Sequence, residues 1–463
     1  MKNTTEFPER NYDRFISEIG RCSVSTGASE RICHAYDATN KFVFPDLVVR
    51  PSSIEELHAV VKAANVWKIP LIPRGAGTGF SGGSLGVRGG AVVDLLQFDK
   101  IVDLDEDDMT VYVEPGVIVR DIHEAVESRG LYYPPDPASL KTCTIGGNIA
   151  ENAGGPHCLK YGVTRDYVMV IDGITGGGDI FSAGKAVHKN RAGYDLKQLL
   201  VGSEGTLAIF TGFRLKLIAK PEKKILFLAF FSELVDAAKT VNLILKSGIV
   251  PSSVEFMDKN TIMAVENFAK FGLPTQHEAL LLIEIDGRAD ETVASRKIAE
   301  SVLSKHAKLV QFADDKNEQE KLWEIRRKAS PAMRAYGNTK INEDIVVPRK
   351  HVPTAIRRLW ETGERNNVKV ISFGHIGDGN IHVNIMHDGN NAQEVKRAKV
   401  AVGEIFEMVN SLGGAISGEH GIGTAKMDFL PGNIDNTSLE LMRNIKKTFD
   451  PNNILNPGKI FNL

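Results

Sequence analysis

Short apolar runs alternate with stretches of helical periodicity along the first ~220 residues. Ser53, followed by the acidic residues Glu55 and Glu56, marks the start of a helix that we predict over Ile54–Trp67. Runs of β-branched and other apolar residues predict strands at Asp46–Val49, Leu71–Pro73, Ala91–Asp94, Thr110–Val113 and Val168–Ile174. This order predicts a domain of mixed strands and helices over residues 1–220, with its functional residues on loops.

A second mixed region begins where Pro221 interrupts the pattern and the apolar run Ile225–Phe231 predicts a new strand. Its predicted helices are Leu234–Lys246, Ala289–Lys305, Glu318–Tyr336, His351–Asn366 and Ala392–Leu412. Its other predicted strands are Leu280–Ile285, Val370–Ser372 and Ile381–Ile385. We therefore predict an α+β fold, with a second domain over residues 221–415 and a C-terminal segment over 416–463 that contains the helix Ser438–Phe449.

Composition narrows the classes of function. The 463 residues carry 56 Lys and Arg against 58 Asp and Glu, a net charge of −2, which gives no reason to expect nucleic acid. The longest apolar run falls far short of the ~20 residues that span a membrane, and the stretch Met1–Phe15 lacks the apolar core of a secretory signal. None of the four cysteines forms a Cys-x-x-Cys pair. We expect a cytoplasmic protein, at most peripheral at the inner face of a membrane.

Glycine is the informative excess, because its 43 residues cluster in patches that suit a close approach of backbone to a large ligand. Residues 77–82 satisfy the Gly-x-Gly-x-x-Gly spacing of dinucleotide-binding loops, and a predicted strand precedes them. The glycine-rich stretch 83–90 that follows cannot form the helix that a Rossmann site requires. The loop can instead offer successive backbone N–H groups to an anion, with Arg74 adding charge, or it can be a plain surface loop; the residues alone leave both open.

Two histidines, His375 and His382, frame the turn sequence Gly-Asp-Gly-Asn of residues 377–380. The alternation after the turn predicts a half-buried strand with His382 pointing away from its apolar face, so both imidazoles can face one point. Glu419 can complete a His₂Glu set that suits a divalent metal, zinc above all with manganese or iron as alternatives, and that leaves a position open for substrate. The alternative is two turn histidines and a loop glutamate without a metal.

Arg326 lies on an otherwise apolar stripe of the predicted helix Glu318–Tyr336, together with Leu322, Ala329 and Met333. A buried arginine needs an anion, and its planar guanidinium matches a carboxylate. Arg326 can therefore bind the carboxylate of a substrate, or it can form an internal salt bridge.

Three separated motifs resemble one known family. They are residues 73–78 (Pro-Arg-Gly-Ala-Gly-Thr), the run Thr144–Gly155 and residues 202–206 (Gly-Ser-Glu-Gly-Thr), and their order is similar to that of FAD-linked oxidases of the vanillyl-alcohol oxidase, or PCMH, type. The similarity is to the branch of D-lactate dehydrogenases and glycolate oxidase subunits, related to D-2-hydroxyglutarate dehydrogenase, and it runs from about Phe42 to Lys459. It implies a PCMH-type FAD-binding domain of two α+β subdomains with its core at about 42–220, a substrate (cap) domain with an antiparallel sheet, and a C-terminal segment that completes the active site and the flavin site.

The resemblance also implies roles for individual residues. It implies noncovalent FAD, contacted by Arg74, Gly75, Ala76, Gly77, Thr78, Gly79, Ser81, Gly82, Asp136, Ser139, Thr142, Thr144, Gly146, Gly147, Asn148, Asn152, Gly154, Gly155, Tyr161, Gly162, Glu204, Gly205, Ile209 and Asn456. His375, His382 and Glu419 fall on the family's metal-ligand positions. Arg326, Lys340 and Asn384 are implied at the substrate, although residues 342–348 depart from the family's pattern at the far end of that pocket.

These expectations combine into one hypothesis, an FAD-dependent dehydrogenase that oxidises a D-2-hydroxy acid such as D-lactate or glycolate by hydride transfer to flavin N5. The metal would lower the pKa of the substrate hydroxyl, and His420 would accept its proton, since a histidine titrates near ~6.5. The expected partners are the small hydroxy acid and an electron acceptor, which can be a quinone, a cytochrome, an electron-transfer flavoprotein or an iron–sulfur partner subunit; an oligomer stays open. The alternatives are a non-redox flavoenzyme of the alkyl-dihydroxyacetone-phosphate synthase kind and a flavin-binding subunit of a larger oxidase complex.

Overall fold

The computed structural model describes residues 11–39 and 41–463, so most of the N-terminal stretch that bears on export lies outside the described residues. The chain divides into two units. The first comprises Met1–Ala153, Val163–Ala219 and His420–Leu463, and the second comprises Gly154–Gly162 and Lys220–Glu419. Within the described ranges, no helix has both the length and the apolar character needed to cross a bilayer.

The first unit contains two larger sheets and a short two-stranded one. Its strands are β1 (Ser23–Ser25), β2 (Leu47–Arg50), β3 (Leu71–Arg74), β4 (Ala91–Asp94), β5 (Ile101–Asp105), β6 (Thr110–Val113), β7 (Leu131–Tyr132), β8 (Val168–Thr175), β9 (Ile180–Gly184), β10 (Ala208–Lys216) and β11 (Ile218–Ala219). One sheet has the order β1-β2-β4-β3, in which β4 runs parallel to both β2 and β3. The other, β5-β6-β10-β8-β9, is antiparallel, and β7 pairs with β11.

The second unit is built on a seven-stranded antiparallel sheet. Its strands are β12 (Lys223–Phe231), β13 (Ser253–Asp258), β14 (Ala279–Gly287), β15 (Leu309–Ala313), β16 (Thr339–Val346), β17 (Lys369–His375) and β18 (Asn380–His387). They lie side by side in the order β15-β12-β14-β13-β17-β18-β16. The α+β fold class and the antiparallel sheet of the second domain are confirmed, and β13, β15 and β16 are strands that the pattern did not predict.

Helices cover the sheets of both units. In chain order they are α1 (Tyr12–Glu18), α2 (Ala28–Cys33), α3 (Ile54–Trp67), α4 (Val119–Glu127), α5 (Ile145–Glu151), α6 (Cys158–Tyr161), α7 (Leu196–Leu200), α8 (Leu234–Lys246), α9 (Lys259–Ala269), α10 (Ala289–His306), α11 (Lys316–Arg327), α12 (Ala329–Ala332), α13 (Val352–Arg365), α14 (Ala392–Ser411) and α15 (Asn436–Phe449). Short 3₁₀ turns lie at Thr164–Tyr167, Met333–Tyr336, Arg349–His351 and Met427–Gly432.

Helix α3 has the bounds that the sequence predicts, and its capping explains them. The Ser53 hydroxyl accepts a hydrogen bond from the Glu56 N–H at 3.2 Å, and Lys68 ends the helix in the left-handed region with φ 52°. Its buried face packs with β2 and β4 in one core cluster that includes Leu57 and Val60. Burial of this stripe anchors the helix beside the strands that lead into the glycine-rich loops.

Candidate active site

The turn between β17 and β18 presents the two predicted metal-ligating histidines. His375 is the last residue of β17, and His382 is the third residue of β18. The backbone N–H groups of Asp378 and Gly379 donate to the carbonyl of His375 and close the turn. Gly379 has φ +91°, and a Cβ there would lie 2.1 Å from the carbonyl oxygen of Val347, so the turn requires glycine at this position.

The three predicted metal ligands lie close together in the second unit. The Nε2 atoms of His375 and His382 are 3.2 Å apart, and Glu419 Oε1 lies 3.2 Å from His375 Nε2. Two nitrogens bound to one zinc ion at ~2.05 Å with tetrahedral geometry would be ~3.3 Å apart. The donor set and its spacing therefore fit a divalent metal, and all the candidate ligand atoms lie within 4.8 Å of one another.

Two buried carboxylates, Glu255 and Asp344, accept hydrogen bonds from the residues that carry these ligand atoms. Glu255 in β13 lies opposite His375 in the sheet register and accepts a hydrogen bond from its Nδ1. Asp344 in β16 lies opposite His382 and accepts from the backbone N–H of Glu419 at 2.7 Å, which fixes the loop that carries this residue. Burial alone would raise the pKa of Glu255, but the charges of His375 and of the nearby Arg326 lower it to about 2.

Arg326, near the end of α11, contacts Glu255 rather than lying free on an apolar stripe. Its Nε donates to Glu255 Oε2 at 2.5 Å, and its guanidinium carbon lies 4.5 Å from the centre of the Phe373 ring. The internal salt bridge that the sequence left as an alternative is thus present. It uses only Nε, because the two Nη groups have no hydrogen-bond partner among the residues that the structure describes.

The two other predicted substrate residues lie on the same sheet. Lys340 in β16 donates from Nζ to Ser330 Oγ at 3.1 Å, and burial, with the charge of Arg334, lowers its pKa. Asn384 lies two residues beyond His382 on the same face of β18. It is 1% exposed, and neither its Nδ2 nor its Oδ1 has a hydrogen-bond partner within the described ranges. A buried amide without partners is costly, and a ligand that hydrogen-bonds to this side chain would remove that cost.

In the first unit, the loop after β3 contains no helix, as the sequence predicts. None of the backbone N–H groups from Gly75 to Gly82 donates to a protein acceptor among the described residues. This loop, which contains Gly75, Ala76, Gly77, Thr78, Gly79, Ser81 and Gly82, therefore offers a run of donors that fits the phosphates of a dinucleotide. The Arg74 guanidinium turns inward and donates to Ser84 Oγ at 3.0 Å and to the Tyr36 carbonyl at 2.9 Å.

The second glycine segment packs against this loop. A Cβ on Gly75 would lie 2.1 Å from Thr144 Oγ1, so the two segments approach closely only because residue 75 is glycine. Thr144 caps helix α5, accepting from the Gly147 N–H at 3.3 Å, and the sequence pattern did not predict this helix. The helix carries Gly146, Gly147 and Asn148, and Asn152 ends it with φ 52°.

Seven further residues predicted to contact the flavin are divided between the two units. Asp136, Ser139 and Thr142 lie between β7 and α5, where the Ser139 carbonyl accepts from the Thr142 N–H at 2.8 Å. The residues Gly154, Gly155, Tyr161 and Gly162 lie in the second unit. The Tyr161 hydroxyl donates to Asp286 Oδ2 at 2.9 Å.

The other predicted flavin residues, Glu204, Gly205, Ile209 and Asn456, lie in the first unit. Glu204 has φ 52°, precedes Gly205, and accepts hydrogen bonds from the N–H groups of Ile422 and Gly423 at 2.7 and 2.6 Å. Asn456 Nδ2 donates to the carbonyls of Gly83 and Glu204, both at 2.8 Å. The side chain of Ile209 is fully buried in the core, and the residue pairs with Ile174 in the β10–β8 ladder.

His420, the predicted base, lies in the first unit with its ring stacked on Phe80, the ring centres being 4.7 Å apart. The sequence did not single out two buried ionisable residues nearby, Glu151 and Lys459, as site residues. Burial and the adjacent Glu204 raise the pKa of Glu151 well above its ordinary value, and burial lowers the pKa of Lys459 to about 7. An acid inside the Thr144–Gly155 run was the available signal for Glu151.

The sequence matches models of known protein families. Residues 220–460 match the family described as FAD linked oxidases, C-terminal domain, and residues 45–184 match an FAD binding domain. The chain belongs to the FAD-linked oxidase family and is a flavin-dependent oxidoreductase.

The chain is also similar to individual proteins of known name. The chain is 41% identical over 451 residues to glycolate oxidase subunit GlcD of Bacillus subtilis (strain 168), covering 97% of this chain and 96% of that protein. It is 36% identical to the D-lactate dehydrogenase of Anaerostipes hadrus, covering 90% and 89% of the two chains. Its fold matches p-cresol methylhydroxylase with substrate bound, with a TM-score of 0.82 over 97% of each chain at 17% identity. This last likeness concerns the fold alone and confirms the PCMH-type architecture.

Proposed function

We propose that this flavoprotein is a dehydrogenase that oxidises a D-2-hydroxy acid, such as D-lactate or glycolate, to the 2-oxo acid. The observation that carries the proposal is the convergence of His375 Nε2, His382 Nε2 and Glu419 Oε1 in the unit that also holds Arg326, whose Nη groups lack a hydrogen-bond partner within the described ranges. A 2-hydroxy acid presents a hydroxyl and a carboxylate on adjacent carbons, a pair that an open metal position and an arginine can take together. The names of the two curated relatives, a glycolate oxidase subunit and a D-lactate dehydrogenase, favour this class of substrate.

The proposal includes two bound groups, a metal ion and FAD. His375, His382 and Glu419 would hold a divalent ion, zinc by the donor set with manganese or iron as alternatives, which supplies Lewis-acid polarisation of the substrate. The N–H groups of residues 75–82 and the neighbouring segments would hold FAD noncovalently, and FAD supplies the acceptor for the two electrons that leave the α-carbon as hydride.

The side chains of the protein perform the remaining tasks. The Nη groups of Arg326 bind the substrate carboxylate and so fix which face of the α-carbon is presented. An imidazole nitrogen of His420, which directly follows Glu419 in the chain, accepts the hydroxyl proton, because a histidine is partly neutral at physiological pH. Asn384, whose amide has no hydrogen-bond partner among the described residues, and Lys340 are the further substrate-binding residues of this proposal. The expected electron acceptor is a quinone, a cytochrome, an electron-transfer flavoprotein or an iron–sulfur partner subunit.

Anaerobic flavin reduction tests this proposal. D-Lactate or glycolate should bleach the visible flavin absorbance of the wild-type protein, with metal analysis on the same sample. His382→Ala should keep its flavin but lose the metal, and its reduction should slow by ~10³-fold, or about 4 kcal/mol of barrier. His306→Ala, at the last residue of α10, is the matched control and should behave as wild type.

The alternatives make different predictions. Full activity in His382→Ala would show that the metal proposal is wrong. A wild-type flavin that no hydroxy acid bleaches would overturn the proposed class of substrate.

A further inference from the structure

Glu255 is a buried carboxylate whose two oxygens serve two different residues of the site. It lies in β13, is 0% exposed, and stands directly opposite His375 in the neighbouring strand β17. Oε1 accepts a hydrogen bond from His375 Nδ1, and Oε2 accepts one from Arg326 Nε at 2.5 Å. One side chain therefore touches a candidate metal ligand and the candidate substrate anchor, and no pattern in the sequence indicated it.

The contact with His375 determines which ring nitrogen is available. A carboxylate accepts only, so Nδ1 of His375 must carry the hydrogen, and the lone pair of a neutral ring is then on Nε2. Nε2 is the atom that faces His382 Nε2 and Glu419 Oε1, each at 3.2 Å. Glu255 thus selects the tautomer in which His375 can ligate, and it fixes the plane of the ring.

The contact with Arg326 determines where its guanidinium points. Nε is held by Glu255, and the guanidinium carbon lies 4.5 Å from the centre of the Phe373 ring, so two contacts restrain the group. Neither Nη has a hydrogen-bond partner in the part of the chain that the structure describes. The group is thereby presented with both Nη atoms available for a carboxylate.

We propose that Glu255 is a positioning residue that orients His375 for the metal and Arg326 for the substrate carboxylate at the same time. The inference deepens the proposed function and rests on it for the substrate half alone. A carboxylate that only stabilised the sheet would alter neither metal affinity nor substrate KM beyond what a general loss of stability brings. A carboxylate that couples the two residues alters both together.

Glu255→Gln in the full-length flavoprotein tests the inference. Zn²⁺ titrated calorimetrically into chelator-stripped, flavin-loaded protein should bind ~10- to 100-fold more weakly than to wild type. KM for the hydroxy acid that bleaches the wild-type flavin should rise ~10-fold or more in the zinc-loaded protein, because the guanidinium is no longer held. Arg326→Met separates the two halves, since it should raise KM while its Zn²⁺ affinity stays within ~2-fold of wild type.

Asp258→Asn is the matched control. Asp258 is an equally buried carboxylate at the end of the same strand, and it accepts hydrogen bonds from Trp360, Ser372 and Thr261 rather than from a metal ligand or Arg326. This variant should change neither Zn²⁺ affinity nor KM. Glu255→Asp retains the charge but is one methylene shorter, so it should weaken both less than Glu255→Gln, and it carries the same test if the glutamine variant does not fold.

Wild-type Zn²⁺ affinity in either Glu255 variant would overturn the inference, as would effects equal to those of Asp258→Asn. If no hydroxy acid reduces the wild-type flavin, the proposed function fails. The Zn²⁺ titration does not depend on turnover, so it then decides the metal half of the inference alone.

Discussion

At the scale of single residues, the sheet of the second unit tolerates buried carboxylates because each has its own donors. Glu284 in β14 accepts hydrogen bonds from Ser252 Oγ and Trp323 Nε1, both at 3.0 Å, and contacts His157 Nε2 at 2.8 Å. Lys224 Nζ lies 3.4 Å away. Burial would raise the pKa of Glu284, but His157, Lys224 and Trp323 hold it well below its usual range.

This pKa predicts a specific dependence of stability on pH. The folded pKa of Glu284 is below the usual value of 4.5, so its stabilising effect is complete above pH 4.5 and is lost as the pH falls through the folded pKa. Glu284→Gln should lower the free energy of unfolding by about 2–3 kcal/mol at pH 7. The difference from wild type should shrink by about 1 kcal/mol at pH 4, because there the unfolded wild-type chain takes up a proton that the folded chain does not.

Urea denaturation at the two pH values measures both quantities. Glu291→Gln, at an exposed position in α10, is the control and should track wild type at both. A difference between Glu284→Gln and wild type that grew on acidification would contradict the assignment of a low pKa.

The convergence of His375 and His382 could be predicted from the sequence because it is local, whereas their role as metal ligands stays a prediction. His375 and His382 flank one turn, so their spacing alone placed both rings on one side, whereas the approach of Glu419 was an inference from residue type. Glu255 could not be found in this way. It is 120 residues from His375 along the chain, and only the pairing of β13 with β17 brings them together.

At the scale of elements, the predicted helix Glu318–Tyr336 is wrong as one element. The structure has α11, then α12, then the 3₁₀ turn Met333–Tyr336. Pro331 lies inside this stretch, where its missing N–H and the restriction on Ser330 disfavour a continuous helix. Apolar periodicity continued across the break because Leu322, Ala329 and Met333 all pack into one core cluster. Periodicity reports burial, and burial does not require an unbroken helix.

Helix α14 offers an element-scale prediction. Gly403 lies in its interior, and a Cβ at this position would have no heavy atom within 4 Å. Gly403→Ala should therefore raise the free energy of unfolding by about 0.5–1 kcal/mol, since alanine loses less backbone entropy in a helix. Thermal or urea denaturation measures the change.

Gly363 near the end of α13 is the matched control for this prediction. A Cβ at Gly363 would lie 3.0 Å from both the carbonyl oxygen of Val368 and Val370 Cγ2, so crowding should cancel the gain in Gly363→Ala. Equal stabilisation by both substitutions would mean that the local space around these glycines does not decide the outcome.

At the scale of the whole molecule, the chain passes between its two units several times. The segment Gly154–Gly162 belongs with the second unit although the residues before and after it belong with the first. His157 and Lys160 of this segment contact Glu284 and Asp286 of β14 at 2.8 and 2.6 Å. Long-range ion pairs of this kind leave no periodic signal in the sequence. The sequence pattern therefore predicted domains that are contiguous along the chain.

The division into two units predicts which segments the metal stabilises and which segments FAD stabilises. The candidate metal ligands lie in the second unit, and the open N–H groups of residues 75–82 lie in the first. A ligand stabilises the conformations that bind it, by about 2.7 kcal/mol at a concentration of 100 times Kd.

Removing the metal with a chelator while FAD stays bound should therefore speed hydrogen exchange in β17 and β18 and leave α5 unchanged. Removing FAD while zinc is retained should speed exchange in α5 and the loop 75–83 and spare β17 and β18. His382→Ala should show the metal-free pattern without chelator, and a chelator that altered α5 as much as β18 would contradict separate residue sets for the two ligands.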